Sequence, residues 1–147
     1  MYDLVLKNCD LVNENCSSAV DIAIKNQRIE KIASNIDSES KEVLDCEGKL
    51  VIPGLIDDQV HFREPGLTHK GEIATESKAA IAGGVTSYFE MPNVNPNTST
   101  IENLNKKFDM ASSRSYANYS FYLGATNENI EEIKKHDPKT SLSLIHI

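Results

Sequence analysis

Between Lys49 and Asp137 an apolar run is followed by an amphipathic stretch three times over, and no other feature constrains the fold as tightly. The apolar runs are KLVIPGLID, VTSYFEMP and YANYSFYLGA. The first, interrupted only by Pro53-Gly54, reads as a strand buried on both faces, as in a parallel sheet. A helix is expected from about Lys70 to Ala82, with Gly83-Gly84 as its C-terminal cap. Ser99 and Glu102 form a capping box ahead of a second helix in TIENLNKKFDMASSR, and NENIEEIKKHD reads as a third. Strand and helix in alternation lay successive strands side by side in parallel. That is the opening of an α/β barrel or a doubly wound sheet.

The fifty residues ahead of this pattern alternate in twos. YDLVLK sets Leu4 and Leu6 on one face, AVDIAI does the same with Val20, Ile22 and Ile24, and KEVLDC is another short run. Polar turns such as KNQR and CEGK separate them, which describes a small antiparallel sheet packed on one face. Residues 1–52 are thus expected to form an N-terminal β segment and residues 53–139 the βα units. At 147 residues the chain has the length of one ordinary domain.

Fifteen Lys and Arg stand against 22 Asp and Glu, a net charge of -7 with no basic cluster, so a nucleic-acid footprint is not supported. A small molecule or another protein is the expected partner. No apolar run approaches the roughly 20 residues that cross a bilayer, so no membrane partner is expected. MYDLVLKNCD lacks the layout of a signal peptide, and a cytoplasmic protein is expected. Cys9, Cys16 and Cys46 are an odd number without a Cys-x-x-Cys pair, and read as buried free thiols rather than metal ligands.

The end of the chain breaks the alternation. LSLIHI, residues 142–147, is the translation of CTG TCT CTT ATA CAC ATC, a transposase adapter used in preparing sequencing libraries. Residues 140–147 are therefore expected to be a non-native tail, His146 is given no role, and the chain reads as the front part of a longer protein.

Chemistry concentrates in residues 53–97. Imidazoles at i and i+2 on a strand project the same way and grip one Zn2+, but in DQVH the first slot holds Gln59 and only His61 remains. An amide carbonyl is a poor zinc ligand, and taken alone His61 reads as a hydrogen-bonded structural histidine. Arg63 stands at the C-terminal end of the first barrel-type strand, where α/β barrels keep their active sites. Its planar fork suits a substrate carboxylate, or equally a surface ion pair with Glu64 or Glu72. Asn93 lies just past the next strand, and is either a two-way hydrogen-bonding group in a site or a turn residue. Two such groups at the ends of adjacent strands favour a site. His69 reads as a solvated loop residue, and His136 as a helix-terminal one favoured by the dipole.

PGLIDDQVHFREPG followed by KGEIATESKAAIAGGVTSYFEMPNVNP resembles dihydroorotase, of the amidohydrolase superfamily of metal-dependent TIM-barrel hydrolases, over roughly residues 2–139. The Phe-Arg-Glu-Pro-Gly and Met-Pro-Asn signatures set this resemblance apart from allantoinase and hydantoinase-type relatives. It implies an α/β fold, the N-terminal part of a TIM-like (β/α)8 barrel with about three βα units preceded by a small antiparallel β-sandwich segment. It implies interconversion of N-carbamoyl-L-aspartate and L-dihydroorotate in pyrimidine biosynthesis. It also implies that the positions of Gln59 and His61 hold one zinc, of one or two per subunit, and that Arg63 and Asn93 hold the substrate carboxylate. Asp57 is expected to support the motif rather than ligate, and the catalytic aspartate is expected in a part beyond this chain. Two departures matter: Gln59 in place of histidine, and the absence of the later ligands, which together make the chain as written an expected non-enzyme. A zinc-free scaffold partnering aspartate transcarbamoylase is the alternative, a homo-oligomer is left open, and an allantoinase- or hydantoinase-type hydrolase is a further alternative.

Overall fold

A computed structural model describes residues 1–139 and 141–145, and the chain divides into two compact units, Met1–Pro53 and Gly54–Ile147. Thr140, His146 and Ile147 of the expected tail lie outside the described residues.

The first unit is a five-stranded sheet built from β1 (Tyr2–Asn13), β2 (Cys16–Lys25), β3 (Arg28–Ala33), β4 (Ser40–Asp45) and β5 (Leu50–Val51). Two tight hairpins open it. Glu14-Asn15 and Asn26-Gln27 both hold positive φ at their two central positions, the geometry that matches the right-handed twist of the flanking strands. The sheet is mixed, a correction to the antiparallel expectation: β4 and β5 both run parallel to β1, in the order β3-β2-β1-β4. Residue alternation fixes which face a side chain takes but carries no sign of strand direction, and residues 34–39 return the chain to the far side of β1.

Nor is one face packed alone. Val5 joins Ala23 and Ile36 in one cluster, while Leu6 packs with Cys9, Ile22 and Cys46 in another, and adjacent strand residues face opposite ways. A bulge between Leu6 and Cys9 moves Cys9 onto the face of Leu6. Asp21 pins that bulge, accepting from Lys7 Nζ at 2.5 Å, Asn8 N at 3.0 Å and Ile36 N at 2.9 Å. All three cysteines are free, but Cys16 is exposed rather than buried.

The second unit is a parallel sheet in sequence order: β6 (Leu55–Val60), β7 (Val85–Glu90), β8 (Asn118–Ala125) and β9 (Leu142–Ile145). Helices α1 (Ile73–Ala82), α2 (Ile101–Ser112) and α3 (Ile130–Lys135) lie between consecutive strands in the chain. Their shared core is Phe62, Ile73, Tyr88, Leu104, Ala111, Ala117, Phe121 and Leu123. The run KLVIPGLID is divided at Pro53-Gly54 between β5 of one sheet and β6 of the other. It is not buried on both faces: Leu50, Ile52, Leu55 and Ile56 are each about half or more exposed, because β6 is an edge strand.

Local ends differ from the sequence pattern in instructive ways. Helix α1 begins at Ile73 because Glu64 from the preceding loop accepts the Ile73 N–H at 2.8 Å, and the segment from Lys70 is turn. It stops as expected at Gly83, with Gly84 at φ +89. Helix α2 is capped by Thr100, whose Oγ1 accepts from Asn103 N at 3.1 Å; Ser99 is one residue too early. Glu102 pairs instead with Lys106 at 2.5 Å. Residues 142–145 form a strand on β8, with Tyr122 opposite Leu142, so that edge of β8 is covered. An unpaired strand edge accepts any extended segment, and strand geometry is indifferent to the origin of the codons. His136 caps α3 and places Nε2 2.5 Å from Ser141 Oγ.

Candidate functional site

The C-terminal ends of β6, β7 and β8 lie side by side, and the polar residues singled out by the sequence sit there. Ligands of parallel α/β sheets bind at this end because the loops after the strands diverge and leave their groups facing a common space. A bulge shapes the end of β6: Asp57 pairs with Tyr88 but Val60 with Glu90, three steps on one strand against two on the other. Gln59 lies in that bulge. It is exposed and lines a cleft of about 160 Å³ with Asp58, Met91 and Tyr122. Asp57 turns its carboxylate onto the Gln59 N–H at 3.0 Å, a local supporting bond.

His61, just past β6, places Nδ1 2.9 Å from Asn93 Oδ1. An amide oxygen only accepts, so Nδ1 is the donor of this bond. The same bond commits Asn93 Oδ1 and leaves the two N–H groups of its Nδ2 as donors. Asn93 also lines a hollow of about 180 Å³ with Pro92, Asn97, Ser99, Gly124, Ala125 and Thr126. Asn129 braces that hollow from α3, donating to Ser99 O at 2.7 Å and Gly124 O at 2.8 Å.

Arg63 has φ 70, in the left-handed region where a non-glycine residue is held by its surroundings. Its N–H donates to Glu90 Oε1 at 3.0 Å. The ion pairs open to it in the sequence are taken by another residue: Arg114 from the end of α2 contacts Glu64 Oε1 through NH1 and Glu72 Oε2 through NH2. The half-buried Arg63 guanidinium is therefore not spent on its acidic neighbours. The loops carrying Arg63 and Asn93 are joined where Asn95 N donates to Pro65 O at 3.1 Å. Gly66 makes that approach available, since a Cβ there would stand 2.0 Å from Asn95 O.

Below them is a pair that sequence reasoning missed. Glu90 and Lys107 are fully buried, with Oε2 and Nζ 3.0 Å apart, and Lys107 Nζ also lies 4.7 Å from the centre of the Phe121 ring. Burial pushes the Glu90 carboxyl up, against the pull of Lys107 and the N–H groups of Arg63 and Phe62; burial pushes Lys107 down, against the pull of Glu90. A signal existed: Lys107 shares an inward helical face with Leu104 and Ala111, and Glu90 falls two places after the buried Tyr88, on the same face of β7. His69 is exposed on its loop.

Zinc is the ion the resemblance implies, and a zinc site takes about three protein ligands besides water. Among the described residues no three His, Cys, Asp or Glu side chains gather to hold a metal ion, and no hydrogen bond joins Gln59 to His61. These residues do not make a zinc site by themselves: His61 is the one conventional zinc ligand of the pair.

Hydrogen-bonding and cationic groups at the C-terminal ends of parallel strands are the arrangement with which α/β folds bind small polar molecules. The chain belongs to the dihydro-orotase-like family, which matches residues 48–136. It is 40% identical over 133 residues to an allantoinase of Desulfitobacterium hafniense, covering 90% of this chain and 30% of that protein. It is also 40% identical over 107 residues to a dihydroorotase of Fusobacterium nucleatum, covering 73% of this chain and 25% of that protein. An L-hydantoinase structure from Arthrobacter aurescens matches with a TM-score of 0.91 at 30% identity, covering 97% of this chain and 32% of that one. The chain thus spans about a third or less of these relatives, all cyclic amidohydrolases, and dihydroorotase does not stand out among them. Among the described residues no helix is long and apolar enough to cross a membrane.

Proposed function

We propose that the full-length protein carrying this chain is a dihydroorotase, interconverting N-carbamoyl-L-aspartate and L-dihydroorotate. The observation that carries this reading is that Arg63 and Asn93 stand on loops joined through Asn95 N and Pro65 O at the ends of β6 and β7, the first a guanidinium not used by Glu64 or Glu72, the second with its amide donors left free by His61. A planar fork and an amide N–H pair are the donors a ring carboxylate takes, while a ring without one offers them only uncharged carbonyl oxygens. In this reading Arg63 and Asn93 hold the carboxylate and orient the ring, while His61 fixes the Asn93 amide. When bound, zinc would supply an activated water and polarise the amide carbonyl. His61 offers one conventional ligand, so the remaining ligands and the proton-transferring aspartate would come from outside this chain. The open sheet would then be part of a closed barrel that covers Leu55 and Ile56.

The test is turnover of L-dihydroorotate by the full-length protein supplied with zinc. Interconversion with carbamoyl aspartate supports the reading, and a folded, zinc-loaded protein without it overturns the reading. Gln59 favours a second reading, a zinc-free scaffold partnering aspartate transcarbamoylase, because an amide in place of imidazole weakens any metal site. Co-elution with that partner and no gain of activity on adding zinc would support it. An allantoinase- or hydantoinase-type activity has equal support from the relatives and less from Arg63 and Asn93.

A further inference from the structure

Beneath the loops of Arg63 and Asn93 lies a charge pair that the proposed chemistry does not use directly. Glu90 is the last residue of β7, and its two oxygens serve two neighbours: Oε1 accepts the Arg63 N–H at 3.0 Å, and Oε2 faces Lys107 Nζ at 3.0 Å. Lys107 reaches in from α2 and donates to Met91 O at 3.4 Å, two residues before Asn93. One side of the pair therefore holds the backbone of the Arg63 loop, and the other holds the backbone leading to Asn93.

Stability is a poor explanation for such a pair. Taking two charges out of water costs about as much as their attraction returns, and apolar side chains of the same volume fill such a space as well. Geometry is a better one. At φ 70 the Arg63 backbone stays left-handed only while something over-determines it, and the bond from its N–H to Glu90 does so directly. The rest of the loop has its own anchors, since Glu64 binds Arg114 and the first N–H of α1.

We propose that Glu90 and Lys107 are positioning residues that set Arg63 and Asn93 at the spacing one substrate carboxylate requires, an inference that rests on the carboxylate reading above. Neither touches substrate. Glu90 fixes the direction in which Arg63 leaves the backbone, and Lys107 holds the other Glu90 oxygen while tying it to the strand end before Asn93.

The experiment compares two substrates of the full-length protein: L-dihydroorotate, and the same six-membered ring without its carboxylate. Glu90→Gln is expected to raise KM for the carboxylated ring about tenfold or more, with a much smaller change for the bare ring, because a misaimed donor fork penalises only the ligand that uses it. In an Arg63→Ala background Glu90→Gln is expected to add little to the preference lost. Should Glu90→Gln fail to fold, Glu90→Asp keeps a charge opposite Lys107, draws back one methylene from the Arg63 N–H, and is expected to show the same selective loss. Equal losses on both rings, or none, would overturn the inference and leave the dihydroorotase reading standing. A wild-type protein that does not prefer the carboxylated ring would overturn both.

Discussion

Replacing Lys107 by Met should destabilise the protein strongly. Its Nζ is 3.0 Å from Glu90 Oε2, and the two side chains are 1% and 0% exposed, so the substitution leaves a carboxylate buried with no counter-charge. Breaking such a pair costs about 3–5 kcal/mol, against a total of about 5–15 kcal/mol for a typical domain. The loss should depend on pH in a direction fixed by Glu90. Burial raises its pKa above the ordinary 4.5, so the folded state holds the proton more tightly, and stability falls as pH rises from 4.5 through the folded-state value. Without Lys107 that value climbs further. The cost of Lys107→Met should therefore be larger at pH 8 than at pH 5, since Glu90 takes up a proton more readily as pH falls. Glu90→Gln with Lys107→Met should recover most of the loss, to within about 1–2 kcal/mol of wild type. Urea unfolding of the three variants at both pH values measures this. A Lys107→Met protein as stable as wild type, or a loss independent of pH, would refute the reasoning.

Asp21→Asn removes the charge opposite Lys7 and one of the two oxygens that serve Lys7, Asn8 N and Ile36 N, turning a donor onto a donor, and should cost about 1–3 kcal/mol near pH 7. Lys7 first, and then those two N–H groups, hold the Asp21 carboxyl below 3.8, so its contribution is present above that value and lost as pH falls through the folded one; the variant and wild type should converge in acid unfolding. Gly66→Ala puts a Cβ on Asn95 O at a φ of +79, and should part the Arg63 and Asn93 loops, read as a loss of affinity for L-dihydroorotate with the far-ultraviolet spectrum retained. Asn93→Asp replaces the free amide donors by a charge of the same sign as the ligand, and should weaken L-dihydroorotate binding about 100-fold by calorimetry; unchanged binding would remove Asn93 from the site.

The order of the βα units was legible because each helix and strand buries a face whose period the sequence carries, as Leu104 and Ala111 show for α2. Strand direction in the first sheet was not, since KEVLDC alternates the same way whether it runs with β1 or against it. A signature singled out Arg63, Asn93 and His61, yet the bond from His61 to Asn93 could not be read from it, because it joins residues 32 apart across two strand ends. Glu90 and Lys107 escaped for a similar reason. A charge in a sequence reads as surface until its partner 17 positions away is known, and only the packing of α2 on the sheet brings the two together. Pro53-Gly54 marked a break in an apolar run correctly, but nothing local says that the two halves join different sheets.

The most direct test of carboxylate recognition by Arg63 and Asn93 is a comparison of kcat/KM for the full-length protein on L-dihydroorotate, allantoin and hydantoin under one set of conditions. L-dihydroorotate should be turned over with the highest kcat/KM, since it alone presents a ring carboxylate to both donors. A higher value for allantoin or hydantoin would contradict the assignment of Arg63 and Asn93.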